Sequence, residues 1–124
     1  MQLVNGPALI ARLVKSADQL GVQLWPSSPA TSLTTQDGRV TGAVIHRPHG
    51  GDVTVRAAKG VVLAAGGFPN DVERRAELFP RTPTGKEHWT LAPKETTGDG
   101  INLGESAGGV LDTDLASPAA WCPV

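Results

Sequence analysis

Two short stretches of the 124-residue sequence combine residue types that could meet a small ligand. In Ala64-Ala65-Gly66-Gly67, small residues close an apolar run, Val61-Val62-Leu63. Glycines at such a place let backbone approach a ligand closely, and open α/β sheets bind ligands at the carboxyl ends of buried strands. The same residues would equally serve a tight strand-to-helix turn with no ligand. In Thr97-Gly98-Asp99-Gly100, a threonine, glycines and one acid stand where a helix should begin. Free N–H groups at a helix start suit phosphate; a carboxylate there accepts from sugar-type hydroxyls and repels a phosphate lying against it. The plainer alternative is that Asp99 caps the helix. Gly100, Gly104, Ala107 and Gly108 follow at helical spacing as one small-residue face suited to close packing.

Other reactive side chains carry less. His46, His49 and His88 are scattered through hairpin and loop without the spacing of a metal site, and read as surface residues. Arg74 and Arg75 lie between Glu73 and Glu77 and read as a solvated helix face. Cys122 has no basic neighbour to activate it, and Ser28 and Ser106 have no nucleophile-elbow context.

The elements that must hold these stretches can be read from periodicity. Leu9, Ile10, Leu13, Val14, Ala17 and Leu20 form an apolar stripe on a helix over 7–20, with Pro7 at its start and Gly21 as a left-handed stop. Val22 to Trp25 reads as a short strand. Ala30 to Thr34, Val40 to His46 and Asp52 to Ala57 read as an antiparallel meander, turned by Asp37-Gly38 and Gly50-Gly51. Val61 to Ala65 is the continuous apolar run of a strand buried on both faces. Asn70, with Glu73 three residues on, predicts a capped short helix ended by Pro80. Residues 81–96 are polar and predict a surface loop, and a helix resumes over Gly100 to Ala107.

Composition bounds the rest. With 40% hydrophobic residues, 19% charged and a net charge of -1, no basic stripe points to nucleic acid or an anionic membrane. One cysteine precludes an intrachain disulfide. The first residues lack a basic leader, and the longest apolar run falls far short of the roughly 20 residues of a spanning helix, so a soluble, cytoplasmic protein is expected. Fifteen glycines, ten prolines and only 4% aromatics suggest a core completed by something else, a cofactor or further chain. Gly-x-Gly-x-x-Gly, which opens a dinucleotide fold, does not occur.

In order, Asn5-Gly6, Gly21-Val22, Asp37-Gly38-Arg39-Val40-Thr41-Gly42, Ala58-Lys59-Gly60 through Gly67-Phe68, Thr97-Gly98-Asp99-Gly100-Ile101 and Ala107-Gly108 span nearly the whole chain. This series resembles the fumarate reductase/succinate dehydrogenase flavoprotein superfamily, the FAD-dependent oxidoreductases that include a 3-ketosteroid dehydrogenase branch. The resemblance implies an internal segment of such a protein: an α/β, partial Rossmann-like FAD-binding domain with an antiparallel β-meander, lacking the N-terminal βαβ unit. Residues 1–110 would be the second part of that domain and 111–124 the start of the substrate or capping domain. Trp121 and Pro123 are similar to the ketosteroid branch.

The resemblance also implies FAD as cofactor of the intact protein. Ala30 would contact its adenine portion through backbone, Ala64, Ala65, Gly66 and Gly67 would pass close to it, and Thr97, Gly98 and Asp99 would touch it. The family's substrate-binding and catalytic side chains would lie beyond residue 124, so no catalytic or metal residue is assigned. The implied reaction is hydride transfer at a C–C bond next to a carbonyl of a small-molecule substrate. The isolated chain is expected to be inactive and to bind FAD weakly or not at all. Two other readings stand beside it: a non-enzymatic interaction module, and a half-domain completed in trans by a separately encoded FAD-binding partner.

Overall fold

The computed structural model describes residues 5–119. Its order is α1 (Asn5–Gln19), β1 (Ala30–Gln36), β2 (Arg39–Arg47), β3 (Gly51–Arg56), α2 (Val72–Leu78) and α3 (Asp99–Ser106).

α1 begins two residues before Pro7, which stays within the first turn where its missing N–H breaks no helical bond. Its end follows the glycine stop. Gly21 adopts φ 74°, Val22 N donates to Ala17 O at 2.9 Å, and Gly21 N donates to Asp18 O at 3.0 Å. The apolar stripe is there, but Leu9, Ile10, Leu13 and Val14 are all exposed. Among the described residues α1 touches no other helix or strand.

The meander holds the most extensive packing between elements among the described residues. β1, β2 and β3 pair antiparallel in that order, with Leu33 opposite Ala43 and Ala43 opposite Val55. Asp37 (φ 52°) and Gly38 (φ 74°) both take left-handed backbone, as a two-residue hairpin turn demands. β2 is central, and Gly42 lies between the two flanking strands: a Cβ there would stand 2.0 Å from the Val55 carbonyl oxygen. Thr34 and Thr41 hydroxyls lie 3.2 Å apart across β1 and β2. Ala43 is the one buried apolar residue among those described, 7% exposed.

Two expected strands do not form. Val22 to Trp25 has no ladder partner, although Trp25 stacks beneath the Arg47 guanidinium at 4.1 Å. Val61 to Ala65 is likewise unpaired, and Val62 is 89% exposed. The physical reason is the same. A strand buried on both faces is stable only between neighbouring strands that take its backbone bonds, and none flanks this run among the described residues. The accessible surface of 9918 Å² is far above the ~6,300 Å² expected of a folded monomer of this mass. Much of the apolar surface is therefore uncovered.

α2 is capped by Asp71, not Asn70: the Asp71 carboxylate accepts from Arg74 N at 3.0 Å. The expected solvated face is also wrong for both arginines. Arg75 is 6% exposed, and Arg74 donates to Asn102 Oδ1 at 2.8 Å and Glu105 Oε2 at 3.1 Å, tying α2 to α3. Glu73 and Glu77 share one helix face, while Arg75 is one turn from Phe79 on the inner face. Residues 81–96 form the expected irregular and mostly exposed loop, but one point of it is anchored. Thr82 is 2% exposed with its hydroxyl 2.6 Å from the Phe79 carbonyl and 2.9 Å from that of Arg75.

Candidate flavin-binding site

The apolar run and its glycines lie along α3. A Cβ on Gly100 would be 3.3 Å from the Ala65 Cβ, and one on Gly104 would be 3.7 Å from Leu63 Cδ1. The alternating residues 63 and 65 thus seat on the small-residue face of α3, which is why that face holds glycine. Further along, Gly66 (φ 80°) lies against Thr96, and Gly98 (φ 86°) lies against the Phe68 Cβ at 3.1 Å from its own missing Cβ. A side chain at Gly98 would be strained by its backbone and would press on Phe68.

Gly98 is also the N-cap of α3, with no side-chain capping bond. Asp99 therefore does not cap the helix, the plainer alternative for it. Its exposed carboxylate accepts instead from the Thr97 hydroxyl at 2.9 Å. That bond displays what the carboxylate can do: it accepts a hydrogen bond from a hydroxyl at a helix start whose first N–H groups have no acceptor within the helix. α3 ends on Gly108 (φ 89°), with Gly109 N donating to Gly104 O at 2.9 Å.

Of the expected site residues, the structure brings Ala64, Ala65, Gly66 and Gly67 beside Thr97, Gly98 and Asp99, and leaves the first four exposed. Ala30 opens β1 with Ile45 as its ladder partner, and β1 is the strand that α3 touches, but among the described residues no contact links Ala30 itself to the other expected site residues.

The second half of the site is a set of ties that no local pattern announced. Asn70 N donates to Thr96 O at 3.1 Å, and the Asn70 amide donates to Pro93 O at 2.7 Å. Arg75 donates to the Pro69 and His88 carbonyls. Phe68, Phe79 and His88 stack in series, with ring centroids 5.5 and 5.9 Å apart, so His88 is half-buried and not a surface histidine. The hydrogen bond to Glu105 is the chief cause that raises the Arg74 pKa above its ordinary value, partly opposed by burial. His46 does sit at the surface, 2.8 Å from the Asp52 carboxylate.

Comparison with known proteins decides what this arrangement belongs to. The FAD binding domain family matches residues 1–124. The chain belongs to that family. Its cofactor is FAD, and its fold is a partial FAD-binding α/β domain. It is 42% identical over 97% of its length to 4-oxocyclohex-2-ene-1-carboxylate 5-dehydrogenase of Sinomonas cyclohexanicum, covering 20% of that protein. It is 35% identical over 95% of its length to 3-oxosteroid 1-dehydrogenase of Mycolicibacterium smegmatis, covering 21%. Among solved structures it matches the open conformation of a flavocytochrome c3 fumarate reductase, with a TM-score of 0.74 and 33% identity over 86% of this chain and 18% of that one. This member of the FAD binding domain family thus spans about a fifth of the length of the curated relatives it matches.

The residues present suit one part of that cofactor. Two left-handed glycines bring backbone segments together at an exposed surface, and Asp99 offers a hydroxyl acceptor. FAD carries hydroxyls as well as a pyrophosphate, and the Gly-rich fingerprint for the latter is not in these 124 residues. Among the described residues, no helix is long and apolar enough to cross a membrane. Nor is any group of three His, Cys, Asp or Glu placed to hold a metal. Trp121, Cys122 and Pro123 lie outside the described residues.

Proposed function

We propose that this chain is the second part of the FAD-binding domain of a longer oxidoreductase, with residues 1–110 in that domain and 111–124 opening the substrate domain. The observation that carries this reading is that the exposed Ala64-Ala65-Gly66-Gly67 stretch packs against Thr96 and, through Phe68, against the buried Gly98, next to the exposed Asp99. In the intact protein Asp99 accepts from a cofactor hydroxyl, and the backbone of Gly66 and Gly67 passes beside FAD. Ala30, at the start of β1, meets its adenine portion. FAD supplies a two-electron acceptor or donor, and the protein supplies position and electrostatics. The names of two dehydrogenases of oxo compounds among the relatives support transfer of a hydride at a C–C bond next to a carbonyl.

The large exposed apolar surface supports completion by further chain in cis rather than a self-sufficient interaction module. The test is flavin retention. Purified alone, the 124-residue chain should lose FAD on gel filtration. The same residues joined to the Gly-x-Gly-x-x-Gly half should elute yellow with one flavin per protein. An Asp99→Ala variant of that longer protein should lose flavin more readily than Asp99→Asn, which can still accept a hydroxyl. A joined protein that holds no flavin would sink the proposal.

A further inference from the structure

The Arg75 guanidinium is an anomaly that the flavin reading alone does not explain. It is buried, yet the described structure gives it no carboxylate. Its terminal nitrogens donate to two carbonyl oxygens, Pro69 at 3.2 Å and His88, while Nε is shielded from water without a partner. Even with the Phe79 ring 5.8 Å from its central carbon, burying a cation without a carboxylate is expensive, and an apolar side chain of similar length would fill the space at less cost. A planar guanidinium does one thing that such a side chain cannot: it holds two separate backbone oxygens in one fixed geometry.

Those two oxygens belong to segments that matter. Pro69 follows Gly66-Gly67-Phe68 directly, and His88 stands in the stretch that runs on to Thr96-Thr97-Gly98. Asn70 ties the same two segments again, through Pro93 and Thr96. We propose that Arg75 is a positioning residue of the FAD site, fastening the 81–96 segment to the turn after Gly67 and so presetting the backbone of Gly66-Gly67 against Thr96-Thr97-Gly98. The proposal rests on the flavin reading above. Arg75 itself touches no cofactor; it acts through the two carbonyls.

The experiment uses the full-length flavoprotein that contains this chain. Arg75→Met, Arg75→Lys and Arg75→Ala are compared with wild type for FAD dissociation constant, bound-flavin absorption and thermal unfolding. A displaced binding backbone should raise the dissociation constant by roughly 10- to 100-fold, as misplacements remote from the ligand do. Lys should not restore it, because it lacks the fork. Millimolar guanidinium ion added to Arg75→Ala should recover flavin affinity and the wild-type absorption band, a rescue that generic loss of packing would not give. Wild-type affinity and spectrum in a folded Arg75→Met protein overturn the proposal, and so does a loss that guanidinium does not reverse. Should Arg75→Met fail to fold, Asn70→Ala decides, because Asn70 makes its tie at the surface. Weaker flavin binding in that variant supports the proposal, and unchanged binding overturns it. Wild-type protein free of flavin overturns the cofactor reading and this proposal together.

Discussion

Single side chains in this chain act mainly on backbone. Thr82 shows the pattern: a buried hydroxyl within bonding distance of two carbonyls at the end of α2. Thr82→Val keeps the shape but strips both oxygens of that partner, and should destabilise by about 1–3 kcal/mol in urea denaturation of the longer protein. Glu87 works by charge. Its carboxylate accepts from the Thr84 hydroxyl, its chief tie, and from the Thr84 and Lys86 amides, which lowers its pKa below the ordinary carboxylate value. A depressed carboxyl stabilises its turn above the unfolded pKa, and the benefit disappears as pH falls through the folded one. Protection of the Thr84 amide, its exchange rate measured against that of the unfolded chain at the same pH, should therefore be full at neutral pH and step down once the pH falls below the ordinary carboxylate range. In Glu87→Gln that pH step should vanish.

At the scale of elements, the central strand tolerates least. A Cβ at Gly42 would fall on the Val55 carbonyl, so Gly42→Ala should force β2 and β3 apart. The expected cost is about 1–3 kcal/mol, visible as faster amide exchange across Thr54 and Arg56. The meander was legible in the sequence because short strand-forming runs and the Asp37-Gly38 turn between them are local signals, even though Val40, Ala43 and Ile45 break strict alternation. The helix stop expected at Gly21 also holds, with left-handed backbone at φ 74°. What could not be read depends on distance. Val61 to Ala65 has every local mark of a buried strand, but pairing needs neighbours, and local sequence does not say whether they are present. Arg75 sits between glutamates in sequence, and only its one-turn spacing from Phe79 hinted at the inner face. Asp71 took the cap from Asn70 because the Asn70 side chain was committed to Pro93, a bond spanning 23 residues.

The whole molecule is a set of surfaces prepared for one another. α1 offers a stripe that nothing described covers, and the 61–65 run offers unpaired backbone. In the isolated chain these surfaces should bind a hydrophobic dye, and thermal unfolding should lack a sharp transition. Joined to the Gly-x-Gly-x-x-Gly half that the proposed function calls for, the dye signal should drop and a cooperative transition appear. If Leu13→Glu on α1 leaves that joined protein unchanged, the stripe is not an internal contact. A destabilisation of about 2 kcal/mol or more is expected.

The meander has one more consequence, in time rather than space. β1 to β3 are joined by turns of a few residues, so their contacts close small loops and cost little chain entropy. The contacts between 63–68 and 96–104 close loops of some thirty residues and gain little until neighbours arrive. During synthesis the hairpins should thus form first and wait, with the 63–68 and 96–104 segments completed last. Limited proteolysis of cofactor-free protein should accordingly cut near Lys59 while leaving Ala30 to Arg56 whole. Added FAD should protect the cut site.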